Sequence, residues 1–262
     1  MTTIRLMACP ARPAALTAAL AATLTAGLAA CGTQGSATGA STHATTSASA
    51  SPSDPLASLT ATAIINKAIG DTTAASTVHF IGTSTNAGQK ITFALTVVRG
   101  KGCTGTITEG KSGSFQVVYL GKNVWVKPDD TFWKTAAGSD SGDSATLSLL
   151  SGKWLLGSAS DTAAGSLVSI CSLNTLLTQA APATDRVVKG ARTTLNGQPI
   201  LPITDITQNG TVEVTDVARP ELLSMTATGA NGGTMTFADY GAPATITPPP
   251  SGKVINGSQY GF

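Results

Sequence analysis

From Lys90 to Arg99 the chain reads Lys-Ile-Thr-Phe-Ala-Leu-Thr-Val-Val-Arg. Ile91, Phe93, Leu95 and Val97 fall on one side of an extended backbone, and Thr92, Ala94 and Thr96 on the other. Successive strand side chains point to opposite faces, so this period of two predicts an antiparallel sheet with one face covered. Phe115, Val117 and Tyr119 repeat the pattern, and Thr77 to Thr83 reads as a strand. Turn signals separate these runs at Asn86-Ala87-Gly88, Gly121-Lys122-Asn123 and Pro128-Asp129-Asp130. Ahead of them, Leu56, Leu59, Ala63, Ile64, Ala68 and Ile69 fall largely on one side of a helical wheel, with Gly70 placed to stop that helix. Between about 143 and 181 the alternation disappears. Leu147, Leu149, Leu150, Leu155, Leu167, Val168, Ile170, Leu173, Leu176 and Leu177 come there in helix-like clusters, closed by Pro182. Strands resume from Arg186 to Asp239, with turns at Asn196-Gly197, Asn209-Gly210 and Asn231-Gly232-Gly233. Pro248, Pro249 and Pro250 are expected to end the domain. The layout predicts an α+β fold over residues 56–250, helices packed on one face of an antiparallel sheet, followed by a flexible tail at 251–262.

The segment before that domain reads as a targeting device. Arg5 and Arg12 give a positive start, and Ala14 to Gly27 is an apolar stretch of roughly 14 residues, short of the about 20 that a membrane-spanning helix needs. It ends in Leu28-Ala29-Ala30-Cys31, which resembles the lipobox of bacterial lipoproteins at all four positions. That resemblance implies a signal peptide at 1–30, removed just before Cys31, and a diacylglyceryl group on the Cys31 sulfur. Two or three acyl chains anchor firmly, each buried methylene contributing about 0.8 kcal/mol. Residues 31–55 are then a lipid-anchored linker, nearly all Ser, Thr, Ala and Gly, too polar to repay the entropy of ordering. A flexible segment of about 24 residues spans roughly 27 Å. The expected location is the extracytoplasmic face of the cell membrane.

Charge and cysteine usage fit that compartment. The chain has 16 basic and 14 acidic residues. With Arg5 and Arg12 removed the two are equal, which excludes a basic footprint for nucleic acid. Cys9 leaves with the signal and Cys31 is committed to lipid. Cys103 and Cys171 remain, and in an oxidising space a disulfide is the natural reading, two buried thiols being the alternative. Without nearby histidine they make a poor zinc set.

Gly105 to Ser112, GTITEGKS, fits the phosphate-binding pattern G-x-x-x-x-G-K-[ST]. A phosphate loop must open into a helix N-terminus, however, and here strand-forming residues both fill and follow it. Gly110 to Gly113 therefore reads as a hairpin turn, and no nucleotide is expected. His43 lies in the linker, so a catalytic triad would have to use His79, which reads as a packed or edge residue of a strand. Asp140 and Asp143 lack the ligand spacing of a Ca²⁺ loop and read as a solvated turn. Trp125, Phe132, Trp133 and Trp154 read as core or sheet-edge aromatics, a concentration that would also suit the lip of an apolar cavity. No catalytic residue, metal or cofactor is expected.

The lipobox at Cys31, the linker and the helix ahead of Ser76-Thr77-Val78-His79-Phe80 resemble actinobacterial lipoproteins of the LppX/LprAFG kind. So do Gly102-Cys103-Thr104-Gly105-Thr106-Ile107, Val124-Trp125-Val126-Lys127, Phe132-Trp133-Lys134 and Gly152-Lys153-Trp154. Glu221-Leu222-Leu223-Ser224-Met225 and Thr236-Phe237-Ala238-Asp239-Tyr240 continue the same order. The resemblance implies a LolA-like fold, an open antiparallel half-barrel whose concave face is covered by helices, with an apolar cavity that holds lipid or glycolipid acyl chains. Alternation places Ile91, Phe93, Leu95, Val97, Phe115, Val117, Tyr119, Met225, Met235 and Phe237 on the covered face as candidate pocket residues, with the 147–177 insert as lid. The implied function is lipid or glycolipid binding, and carriage, by a non-enzymatic protein tethered to the membrane. The alternative is a non-enzymatic cell-surface sensor or interaction module in which the same residues fill a solid core. The sequence names no protein partner.

Overall fold

The structure is a computed structural model that describes residues 54–86, 88–137, 144–180, 186–207, 209–229, 232–260 and 262. Cys31, the linker up to residue 53, His43, Asp140, Asp143 and Pro182 lie outside the described residues.

Helix α1 (Ala61–Ala74) opens the fold. Thr60 caps it, its Oγ1 accepting the Ala63 N–H at 3.1 Å. Its buried stripe is Ala61, Ile64, Ile65, Ala68 and Thr72, the three-to-four spacing of one helical face. Gly70 does not stop it. The helix runs one turn further because the stripe continues to Thr72, whose Oγ1 accepts the Leu222 N–H at 3.1 Å and meets the Tyr240 hydroxyl at 3.3 Å. Those tertiary bonds outweigh the roughly 1 kcal/mol that a glycine costs inside a helix.

A meander follows: β1 (Thr77–Asn86), β2 (Gln89–Val98), β3 (Gly102–Glu109), β4 (Ser114–Leu120) and β5 (Asn123–Pro128). Pro128-Asp129-Asp130 is more than a turn. Asp129 caps helix α2 (Asp130–Ala137), its Oδ1 accepting the Phe132 N–H at 2.7 Å while Oδ2 takes the Ser114 N–H and hydroxyl. Slight burial would raise the Asp129 pKa, but these bonds to its charged form outweigh it and hold the carboxyl below the usual range.

The insert holds α3 (Ser144–Leu150), β6 (Trp154–Ser158), α4 (Thr162–Ile170) and α5 (Leu173–Ala180). Strand β6 stands where only helices were expected. A short apolar run suits a buried strand or a buried helix equally, and here pairing with β5 decides it. The second half supplies β7 (Val187–Lys189), β8 (Thr193–Leu195), β9 (Gln198–Asp205), β10 (Gly210–Thr215), β11 (Leu222–Ala227) and β12 (Gly233–Ala238). The β8–β9 hairpin turns on Asn196 and Gly197, with φ of 52° and 80°, the left-handed pair that a tight two-residue hairpin needs.

The chain does not end its fold at the prolines. Past Pro248–Pro250 come 3-10 turns at Ser251–Lys253 and Gly257–Tyr260, flanking β13 (Val254–Asn256), which pairs in parallel with β6. The expected tail is thus structured through Tyr260. Ala244 and Ile246 bring the extended stretch down onto Val98, Val118 and Trp125, and this apolar contact straps it to the sheet.

Among the described residues, thirteen strands form one sheet in the order β13-β6-β5-β4-β3-β2-β1-β12-β11-β10-β9-β7, with β8 also on β9. Every neighbouring pair except β13–β6 is antiparallel, and the two ends of the order do not meet. The result is the open α+β half-barrel expected from the sequence, with α1, α4 and α5 packed on one face. Cys103 in β3 and Cys171 at the end of α4 are joined by a disulfide, with Cα atoms 5.5 Å apart.

Candidate concave-face site

Strand register builds the covered face row by row. Ile203, Val212, Met225, Met235, Gly82, Phe93, Ile107 and Phe115 stand opposite one another on successive strands from β9 to β4. A second row runs Phe237, Phe80, Leu95, Gly105, Val117, Val126 and Leu155. A third runs Val78, Val97, Cys103, Tyr119, Val124 and Gly157. All the candidate pocket residues named from alternation lie on this face.

They do not form one patch. Leu95, Val97, Met225 and Phe237 are buried with Ile64, Ile65, Leu173 and Leu177, under α1 and α5. Phe115 and Val117 are buried with Ala164, under α4, and Ile91 packs against that second cluster. Half-buried Phe93 and Tyr119 touch both clusters and form the seam between them, and Met235 packs against the first. The Phe93 ring meets Phe80 edge-on at 5.7 Å, and Phe80 lies 6.2 Å from Phe237. Gly82, opposite Phe93, makes room for that ring, since a Cβ there would run into it.

The sequence reading missed the centre of the first cluster. Val78 and Phe80 are completely buried. Their alternation with His79 and Ile81 was the signal, hidden by the apolar Ile81 on the opposite face. His79 itself pairs across the strands with Thr96, its Nδ1 3.0 Å from the Thr96 Oγ1. Trp125 and Trp154 belong to the convex face, around Val118 and Ile246, with the Lys127 Nζ 5.4 Å from the centre of the Trp154 ring. Of the four aromatics, Phe132 alone packs against a concave cluster, 5.7 Å from Phe115. The phosphate-loop match is the β3–β4 hairpin: Lys111 and Ser112 sit in its turn, where the Ser112 N–H bonds the Glu109 carbonyl at 2.8 Å.

The roof is uneven. Helix α5 buries Leu173 and Leu177, whereas in α4 the buried residue is Ala164, with Leu167, Val168 and Ile170 half-buried. Glu109 stands opposite Ile91 at the rim of the second cluster, and burial raises its pKa. Two surface cavities lie elsewhere. One of about 210 Å³ is lined by Asp130, Trp133, Lys134, Leu147, Ser148 and Ser151, and one of about 290 Å³ by Asp71, Ala74, Ala75, Arg219, Glu221, Tyr240 and Gly241. In the second, burial and then the Asp71 charge raise the Glu221 pKa, with Arg219 opposing. Among the described residues, no cluster of three or more histidine, cysteine or acidic side chains could hold a metal, and no helix is long and apolar enough to cross a membrane.

No protein-family model matches the chain, and no curated protein matches it in sequence. Among solved structures, LprF from Mycobacterium bovis aligns at a TM-score of 0.50 with 14% identity, over 72% of this chain and 96% of LprF. The lipoprotein LppX of Mycobacterium tuberculosis aligns at 0.43 with 16% identity, over 71% of this chain and 98% of LppX. A LolA superfamily protein from Nitrosomonas europaea aligns at 0.23 with 10% identity, over 69% and 92%. The rows of the concave face, the helices over it and the match to LprF agree: this chain has an LprF-like fold, an open half-barrel roofed on one face.

Proposed function

We propose that the chain is a lipoprotein, anchored through Cys31 to the outer face of the cell membrane, that binds the acyl chains of a lipid or glycolipid on its concave face and carries them within reach of its tether. The observation that supports this most is the seam at Phe93 and Tyr119, where two apolar clusters meet under the thinly packed helix α4. An acyl chain entering there gains about 0.8 kcal/mol for each methylene withdrawn from water. Displacing a helix that buries little beyond Ala164 costs less than displacing α1 or α5. The Cys103–Cys171 bond ties the C-terminal end of α4 to β3.

A second reading rests on a different observation. Phe80, Leu95 and Val117 are at most 1% exposed, and both cavities described above lie away from them. A fully packed concave face would make the domain a sensor or interaction module with no lipid cargo. Native mass spectrometry of residues 32–262, secreted from an actinobacterial host, separates the two. An organic-extractable mass matching a lipid supports carriage. A clean protein mass, with no uptake of added phospholipid or glycolipid, refutes it in favour of the second reading. Anchoring is tested separately: labelled fatty acid fed to the cells should be incorporated into the full chain and not into its Cys31→Ala variant.

A further inference from the structure

Phe262 reaches the concave face by an unusual route. The chain straps the convex face with Ala244, Ile246 and Val254, which pack around Trp125 and Trp154. It then rounds the sheet edge as β13, and Phe262 packs against the second concave cluster, the one under α4. The ring rests on two glycines. A Cβ at Gly157 would stand 2.9 Å from the Phe262 Cε1 and 3.5 Å from the Ala164 Cβ, and one at Gly257 would stand 2.8 Å from the Phe262 Cδ1. Gly157 faces Val124 at the end of the third concave row. The niche is therefore a flat apolar recess, floored by glycine, walled by Ala164 and continuous with Phe115, Val117 and Val124.

The recess and its occupant are held very differently. Gly157 of the floor and the adjoining Phe115, Val117 and Val124 belong to β6, β4 and β5, each paired within the sheet, whereas Ala164 stands on α4 and Gly257 on the 3-10 turn just before Phe262. The ring is held by the Phe262 N–H bond to the Gly257 carbonyl at 3.0 Å and by a three-residue parallel strand at the sheet edge, of which Asn256 is exposed. Segments with few buried apolar contacts and solvent-exposed backbone hydrogen bonds sit at the low end of local stability. Apolar recesses from which a ring has been withdrawn stay dry and accept apolar guests of similar size.

We propose that this niche seats the terminal methylenes of an acyl chain and that Phe262 is its displaceable plug. The proposal rests on the lipid-binding reading above and adds where the chain ends and what it must push aside. A saturated tail fits because Gly157, Gly257, Ala164, Phe115, Val117 and Val124 present glycine backbone, methyl groups and an aromatic ring there.

The test uses the full chain in phospholipid vesicles, a photoactivatable diazirine fatty acid, and mapping of cross-linked peptides by mass spectrometry. Phe262→Trp, wild type, Phe262→Leu and Phe262→Ala form a graded series. Labelling of the peptides carrying Gly157 and Ala164 should rise along it, on the order of tenfold between wild type and Phe262→Ala, the factor that seating about two further methylenes gives. Phe262→Leu keeps the series readable where Phe262→Ala unfolds, and thermal melts of each variant report which have folded. Labelling at Phe93 and Tyr119 with no gradient at Gly157, while stability alone follows the series, overturns the plug and leaves lipid binding intact. No labelling anywhere on the concave face of any variant overturns both.

Discussion

Reduction of the Cys103–Cys171 bond is the perturbation whose size the structure sets most directly. The bond closes a loop with a sequence separation of 68 residues, between the start of β3 and the α4–α5 junction. On the chain-entropy model, opening such a loop in the unfolded chain costs about 4 kcal/mol of stability. A domain of about 200 residues gains roughly 0.4 kcal/mol per degree in unfolding entropy at its midpoint, so the melting temperature should fall by about 10 °C. Cys103 is fully buried and Cys171 nearly so, which shields the bond in the folded protein. The reduced form is therefore prepared by unfolding in reductant and refolding in its presence. Circular dichroism melts of the two forms give the shift, and hydrogen exchange locates it. Helix α4 should lose protection first, because the bond holds the one end that its sparse buried contacts do not. A fall of less than about 3 °C, or protection lost evenly over sheet and helices, would refute the reasoning and show that packing alone holds the roof.

Other outcomes are expected from single side chains. Thr72→Val keeps the shape of a fully buried residue but leaves the Leu222 N–H without its acceptor, and urea unfolding should show a loss of about 1–3 kcal/mol that Thr72→Ser largely spares. Burial, reinforced by the Glu221 charge and opposed by the Thr72 bond, raises the Tyr240 pKa above the ordinary value. The folded state then keeps a proton that the unfolded chain releases above about pH 10, so stability should fall with pH from there upward, and Tyr240→Phe should flatten that fall. Burial also raises the Glu109 pKa, so its stabilising contribution is present below the ordinary carboxyl range and lost as pH climbs through the raised value. Glu109→Gln should thus be more stable than wild type at pH 7 and no different at pH 3, as chemical unfolding at the two pH values would show. Gly82→Ala places a methyl against the Phe93 ring and 2.8 Å from the Thr234 carbonyl oxygen, and should cost about 1–3 kcal/mol, of which Phe93→Leu in the same chain recovers part.

Much of the concave face was legible because strand alternation is a local property. Leu95 and Val97 face inward because their neighbours Thr96 and Ala94 face outward, and no knowledge of the partner strands is needed to say so. The α+β order of elements and the hairpin at Asn196-Gly197 were readable for the same reason, since dihedral preference and turn chemistry act over a few residues. The pairing of Cys103 with Cys171 was the expectation from cysteine number and the expected compartment, with two buried thiols as the alternative, and the disulfide is present.

What the sequence left undecided depends on contacts between residues far apart in the chain. Trp154 to Ser158 lies in a stretch expected to be helical, and pairing with β5 and β13 makes it a strand. Gly70 should end α1 by propensity, yet Leu222, some 150 positions later, holds the next turn in place. The prolines at 248–250 looked like an exit, but apolar contacts on the convex face return the chain to the sheet edge and set Phe262 on Gly157. Alternation assigns a residue to a face but is silent on its neighbours there. The division of the apolar face into two clusters, and the seam at Phe93 and Tyr119, come from strand register and helix placement, and these are fixed by long-range packing free energy that no local stretch contains.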